Sequence, residues 1–174
     1  MELQDFTANN FYFDDTVDPE INALLAESAL NPLAAETELY LLRAHFIDSK
    51  DLHVIVALYA YFLQHQRWQD AFMAANKALK LSAKRLYLPT DWRQLTRLHI
   101  GQGVLISMVL TRFYLLAHKA CATLELELGQ VEEGYKRLKK LQELDSADRL
   151  ALADLVHQAQ DLYSEFYIIK HASA

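Results

Sequence analysis

An all-α fold is predicted by three features of the sequence. The segment 52–83 consists of an apolar helical run, a short polar break and a second helical run, which is typical of a helical hairpin. Parts of it recur, since Ala44 and Ala78 occupy matching places 34 residues apart and the segment 128–146 resembles 63–81. Only 4 glycines and 3 prolines are available for turns. Repeated helix pairs must stack to bury their apolar faces, which favours a solenoid with a binding surface over a catalytic pocket.

Composition limits the functional class. The 174 residues suit one domain, and a net charge of −6 argues against nucleic-acid binding, which requires clustered Lys and Arg. Cys121 is the single cysteine, so an internal disulfide is excluded, and its apolar surroundings predict a small core residue. The N-terminus lacks signal-peptide features, and the longest apolar run carries Arg112. We therefore expect a cytoplasmic protein without a membrane span.

The first half of the chain is predicted from its helix start signals. Residues 1–17 are acidic and aromatic without helical periodicity, and we expect them to form an N-terminal arm. Asp18, Pro19 and Glu20 then supply an N-cap oxygen, a first-turn proline and an acid at the positive end of a helix dipole. Four helices are predicted in this half, at 18–30, 33–48, 52–65 and 68–85.

In the second half, glycines and a proline divide the helices. Pro89 interrupts the helical pattern, and a short helix follows that should end at Gly101 and Gly103. Gly129 is suited to the left-handed C-cap of a preceding long helix. The predicted helices are 91–98, 104–128, 130–144 and 146–171, which brings the total to eight.

The central hairpin resembles a tetratricopeptide repeat (TPR) of the bacterial type. Small residues stand where helices A and B of that repeat cross closely, and bulky residues fill the gaps between repeats. The matching positions are Ile55, Tyr59, Phe62, Trp68, Ala71, Ala75, Ala78 and Ala83. The resemblance implies a right-handed superhelix of antiparallel helix pairs in one domain, 18–174. This domain is expected to comprise repeats at 18–51, 52–85 and 115–148, an irregular unit at 86–114 and a capping helix at 146–171.

Two fainter resemblances concern bacterial accessory proteins. The helix-pair pattern is similar to that of small repeat-type chaperones of bacterial secretion systems. The phrase LPTDWRQLT (88–96) is similar to sequences of repeat proteins encoded beside bacterial nitrogen-fixation genes. Both imply a role as an accessory protein that binds other proteins.

The TPR resemblance also implies a partner-binding groove along the A helices. Its predicted members are Asn22, His53, Val56, Ala60, Leu63, Leu116, Lys119, Thr123 and Leu126. Only Asn22 and Lys119 suit a clamp for a peptide carboxylate, so the groove is expected to bind an amphipathic helix or an extended apolar segment. The alternative is that the same face is covered by the helix 104–128, the C-terminal helix or the arm.

No catalytic or metal-binding motif stands out. The seven histidines are scattered, and His53 and His65 on one predicted helix would be about 18 Å apart by helical rise, too far to share a metal ion. We predict a non-catalytic interaction module, an adaptor or assembly chaperone, that binds a protein or peptide and carries no cofactor. A small all-helical enzyme or cofactor-binding protein is the alternative class. The partner's identity and a homodimer are left open.

The predicted hairpin register can be tested at Ala78. Because Ala78 should face helix A at a close crossing, Ala78→Leu is expected to destabilise the protein by about 1–3 kcal/mol through overpacking. Chemical denaturation would measure the change. An unchanged denaturation midpoint would show that Ala78 faces solvent and that the register is wrong.

Overall fold

The computed structural model describes residues 17–172, without the side chains of Ala35 and of residues 169–172. Within that range the chain forms eight α-helices and no strand, so the predicted all-α class is confirmed. Apart from Val17, the predicted arm at 1–17 lies outside the described residues, so the expectation for its structure stays a prediction.

Several helices begin or end at residues with identifiable capping roles. The Asp18 carboxylate accepts a hydrogen bond from the Glu20 N–H at 2.8 Å, and the Asp51 carboxylate accepts from His53 and Val54. Gly129 has φ +75° directly after the sixth helix, which confirms the predicted left-handed C-cap. The helices are α1 (Pro19–Leu30), α2 (Ala35–Ile47), α3 (Leu52–Gln64), α4 (Trp68–Leu86), α5 (Arg97–Ile106), α6 (Met108–Glu127), α7 (Val131–Leu144) and α8 (Ala153–Ala172), with a 3-10 turn at Trp92–Gln94.

Seven of the eight helices pack in sequential order. α1 packs on α2, α2 on α3, α3 on α4, α4 on α6, α6 on α7 and α7 on α8, while α5 is set aside and packs on α6. The most extensive packing joins α4 to α6. Ala71, Ala75 and Ala78 on α4 are fully buried, as expected where helices approach closely. Tyr59 of α3 and Phe113 and Tyr114 of α6 are the largest fully buried side chains.

The predicted division between the fifth and sixth helices is wrong. Gly101 and Gly103 do not end a helix but lie inside α5, and the expected helix 104–128 is broken at Ser107. Ser107 has an extended backbone, its N–H donates to the Gly103 carbonyl of α5, and its hydroxyl accepts from the Leu110 N–H of α6. One residue thus ends α5 and begins α6, a double role that the glycine pattern obscured.

Gly103 is needed for a close approach between α5 and α6 and not as a helix terminator. A Cβ at this position would lie 2.7 Å from the Thr111 hydroxyl oxygen on α6. Gly101, by contrast, has open space around its missing Cβ.

The predicted start of the last helix is also corrected. The helix begins at Ala153 and not at 146, because the preceding residues form an ordered turn. The Asp145 carboxylate accepts from the Leu150 N–H and the Asp148 carboxylate from the Leu152 N–H, both at 2.7 Å. The side chains of Leu150 and Leu152 are buried. These contacts hold the chain in a non-helical path, which we call the 145–152 turn.

The crossing of α6 and α7 provides a test of the packing. A Cβ on Gly134 would lie 2.7 Å from the Ala122 carbonyl oxygen and 2.9 Å from the Leu126 side chain. Because backbone has to move to make room, Gly134→Ala is expected to destabilise the protein by about 1–3 kcal/mol in chemical denaturation.

Gly101→Ala is the matched control for Gly134→Ala. Its new methyl group meets open space inside a helix, so we expect stabilisation by about 0.5–1 kcal/mol from helix propensity. Equal effects of the two substitutions would contradict the described α6–α7 crossing.

Candidate partner-binding groove

The structure buries most of the predicted groove residues. Val56 on α3 has no exposed surface, and the four predicted residues of α6 are also buried, namely Leu116, Lys119, Thr123 and Leu126. Ala60, Leu63 and His53 on α3 are partly buried, and Asn22 on α1 is exposed. The expectation that the five buried residues line an open surface is therefore corrected. A partner-binding role for the other four stays a prediction.

Lys119 of α6 is buried beneath the chain before α8, while Leu126 packs against α7 at Gly134. Lys119 Nζ donates a hydrogen bond of 2.7 Å to the carbonyl of Leu150 in the 145–152 turn. Thr123 donates to the Lys119 carbonyl of its own helix at 3.0 Å. This arrangement is close to the alternative in which the C-terminal part of the chain covers the predicted groove.

An open groove lies elsewhere, between α5, α6, the C-terminal end of α7 and the 145–152 turn. Its volume is about 930 Å³, which is within the usual range of ligand pockets. The lining is mainly aliphatic with a few polar side chains. It consists of Ile100, Val104, Met108, Val109, Thr111, Arg112, Leu115, Leu141, Leu144, Asp145, Ser146, Ala147, Arg149 and Leu150. We call it the α5–α6 groove.

The edge of this groove exposes an unusual amount of apolar surface. Gly103 is the only buried residue of α5, so the aliphatic side chains of this helix face solvent or the groove. Leu105 is 89% exposed and Met108 is 70% exposed. The apolar rim, as we name this surface, comprises Leu98, Val104, Leu105, Ile106, Met108 and Val109. Val104, Met108 and Val109 also line the groove, and exposed apolar side chains of this number in one short stretch are typical of an interaction site.

Local contacts hold α5 in the position that forms the groove. The turn at Ser107 separates its direction from that of α6, and Gly103 permits the close crossing at Thr111. At the other end of α5, the Arg97 guanidinium donates to the Glu143 carbonyl of α7 at 3.2 Å. The helix is therefore fixed at both ends while its apolar side chains stay uncovered.

The charges along the groove are mainly positive. Arg112 and Arg149 both line it and are solvent-exposed. Asp145 is the acidic residue of the lining, and its carboxylate already accepts the Leu150 N–H. The groove therefore suits an apolar segment with a carboxylate at its edge.

The sequence carries a signal for this groove, but helical periodicity does not reveal it. Leu98, Val104, Leu105, Ile106 and Met108 surround Gly101 and Gly103 within the irregular unit 86–114. Their spacing does not form one apolar stripe, and only the break at Ser107 shows that several are left without a packing partner.

A second feature is a buried group of polar side chains between α6 and α7, which we call the polar cluster. His118, Cys121 and Glu125 follow one face of α6, and Arg137 of α7 donates to Glu125 at 2.6 Å. Burial raises the pKa of Glu125, while Arg137 acts in the opposite direction. Burial also raises the pKa of Cys121 to about 12, so its thiol is protonated at neutral pH. His118, Cys121 and Glu125 are buried, so this cluster is part of the packing between α6 and α7.

His118 is the most constrained member of the polar cluster. It is fully buried, its ring packs edge-on against Tyr114 with 4.7 Å between ring centroids, and neither ring nitrogen has a hydrogen-bond partner among the described residues. Burial, together with the positive charge of Arg137, lowers its pKa to about 3. Over residues 17–172, no group of three or more His, Cys, Asp or Glu side chains is placed to hold a metal ion.

No helix in the described part of the chain has the length and apolar character needed to cross a membrane. No family model and no solved structure matches the chain. It is 32% identical over 173 residues to an "Uncharacterized 19.8 kDa protein in nifW 5'region" from Azotobacter chroococcum mcd 1, covering 99% of this chain and 97% of that one. The chain belongs to the same family as that protein.

The pKa of His118 predicts a pH dependence of stability. The pKa in the folded state lies below the ordinary value of 6.5, so as the pH falls below about 6.5 the unfolded chain binds a proton that the folded chain does not. The free energy of unfolding should therefore decrease, by up to about 2 kcal/mol between pH 6.5 and about pH 5 from this residue. Denaturant titrations at about pH 7.5 and about pH 5 would measure it.

Substitution of histidines separates this contribution from others. His118→Leu should reduce the loss of stability on acidification, whereas the same change at the exposed His157 should not. Some dependence should persist in His118→Leu because burial also lowers the pKa of His45. An identical pH dependence in the His118→Leu variant and the original protein would contradict the assignment.

Proposed function

We propose that this protein is a non-catalytic protein-interaction module that binds an apolar segment of a partner in the α5–α6 groove. The observation that carries the proposal is a groove of about 930 Å³ bordered by the uncovered apolar rim. Surface of this kind is costly in water and is usually covered by a partner. An amphipathic helix or an extended segment with aliphatic anchors has the matching chemistry.

Details of the groove support a particular kind of partner segment. Arg112 and Arg149 favour an acidic residue next to the apolar anchors. The apolar contacts should provide most of the affinity, so binding should depend only weakly on salt. The proposed binding site is therefore the α5–α6 groove and not the A-helix face predicted from sequence.

The proposed biological role is that of an adaptor or assembly chaperone of the TPR-like class. Sequential packing of helix pairs supports that class, although α5 interrupts the repeat. The Azotobacter relative is described by its position in the region 5′ of nifW. This position supports an accessory role in nitrogen fixation, and it is in agreement with the phrase at 88–96.

The proposal can be tested by comparing two methionine substitutions. Met108 lies in the groove and is 70% exposed, while Met73 lies on α4 and is 62% exposed. Affinity-tagged original protein should co-purify a stoichiometric partner from its native cell, and the purified pair should bind directly in calorimetry. Met108→Asp should weaken that binding by at least about tenfold, because a desolvated carboxylate would face the apolar segment.

Met73→Asp is the matched control and should leave affinity within about twofold. Both variants should keep their helical content, since both methionines are exposed. The proposal is wrong if the partner binds the folded Met108→Asp and Val104→Asp variants as tightly as the original protein. Co-purification of a small-molecule cofactor in place of a protein would favour the alternative class.

A further inference from the structure

A second apolar surface lies on α2, far from the α5–α6 groove in the packing order. Leu39, Leu42 and Phe46 are spaced by three and four residues, which places them on one helix face. They are exposed, Phe46 to 92% and Leu39 to 65%, while the opposite side of α2 is buried against its neighbours through Leu41 and Ala44. We call this surface the α2 face.

The helix is unusual because it is apolar on two opposite sides. A terminal helix pair of a stacked fold normally presents a polar outer surface. Leu33, in the turn that leads into α2, is also 75% exposed. Together the four side chains expose on the order of 500 Å², which is comparable to the largest apolar patches of typical monomers.

Two charged residues at the ends of the α2 face are complementary to each other in one orientation, while Arg43 between them is paired with Glu20 of its own chain. Glu36 lies near the N-terminal end of α2, and Lys50 follows its C-terminal end. Neither makes an ion pair with another described residue. When two copies of α2 run antiparallel across a twofold axis near Leu42, Glu36 of each copy lies beside Lys50 of the other. A parallel arrangement would place like charges together, which is unfavourable.

We infer that the α2 face is a homodimer interface in which two copies of α2 pack antiparallel about a twofold axis. The exposed apolar side chains of both copies amount to about 1,000 Å², and together with the polar residues around them the contact reaches the lower limit for a specific interface. The axis near Leu42 brings Leu39 of one copy against Phe46 of the other and Leu42 against its own counterpart. Glu36 and Lys50 close the two ends of this contact. The inference does not depend on the function proposed for the groove.

Sedimentation equilibrium of the full chain provides the first test. The original protein should be dimeric at micromolar concentration, and Leu42→Asp or Phe46→Asp should weaken the dimer by at least about tenfold with unchanged helical content. Leu105→Asp, at an equally exposed position of the apolar rim, should remain dimeric. This control also separates the dimer from the groove, because a failed groove proposal would leave these results unchanged.

Charge exchange tests the antiparallel orientation. Glu36→Lys should weaken the dimer because it faces Lys50 of the other copy, and Lys50→Glu should do so because it faces Glu36. The double variant Glu36→Lys, Lys50→Glu should restore dimerisation. Failure of the double variant to recover would overturn the antiparallel arrangement.

A cross-linking experiment tests the position of the twofold axis. Leu42→Cys should give a covalent dimer with a short bis-maleimide, whereas the original protein should not, because its Cys121 is fully buried. A protein that stays monomeric to about 100 μM would overturn the inference. If deletion of residues 1–16 then produced a dimer, the α2 face would belong to the arm, and if it did not, to a different protein.

Discussion

The packing of α6 between α4 and α7 is the constraint on which the rest of the structure depends. From Phe113 to Leu126 this helix is buried on nearly every side, and so are the polar residues that it carries. A buried polar group is costly without a partner, so Glu125 and Lys119 of α6 require partners on neighbouring segments. Arg137 of α7 pairs with Glu125, and the Leu150 carbonyl accepts from Lys119.

These requirements explain why the chain before α8 is an ordered turn. A helix beginning at 146 would remove Leu150 from the position in which its carbonyl meets Lys119. Asp145 and Asp148 bind the N–H groups of Leu150 and Leu152 and fix the turn in place. The turn then forms one wall of the α5–α6 groove, so the burial of α6 and the open groove beside it have a common cause.

Two apolar surfaces of the molecule are not packed into its core. α5 crosses α6 at a single glycine and leaves its aliphatic side chains outside. α2 buries one apolar side in the core and presents another outward. Because α1–α2 and α5–α8 lie apart in the packing order, the two surfaces belong to different parts of the fold. The polar cluster, by contrast, is part of the packing between α6 and α7.

Local sequence signals by themselves determined the number and type of the helices. The oxygens of Asp18 and Asp51, and the left-handed residue Gly129, act within one helical turn, so their effect could be predicted without knowledge of the fold. The small residues of α4 likewise indicated a close packing face. The 34-residue recurrence in turn predicted helix pairs that need neighbours.

Tertiary structure alone decided which faces are covered and where the groove lies. Gly103 carries a signal for ending a helix, yet it serves a contact with Thr111, a residue on the next helix. Val56 and Lys119 follow the pattern of groove residues, but chain that is distant in sequence buries the face of α6 on which Lys119 lies. Whether an apolar face is open depends on contacts between residues far apart in the chain, and helical periodicity describes only one helix at a time.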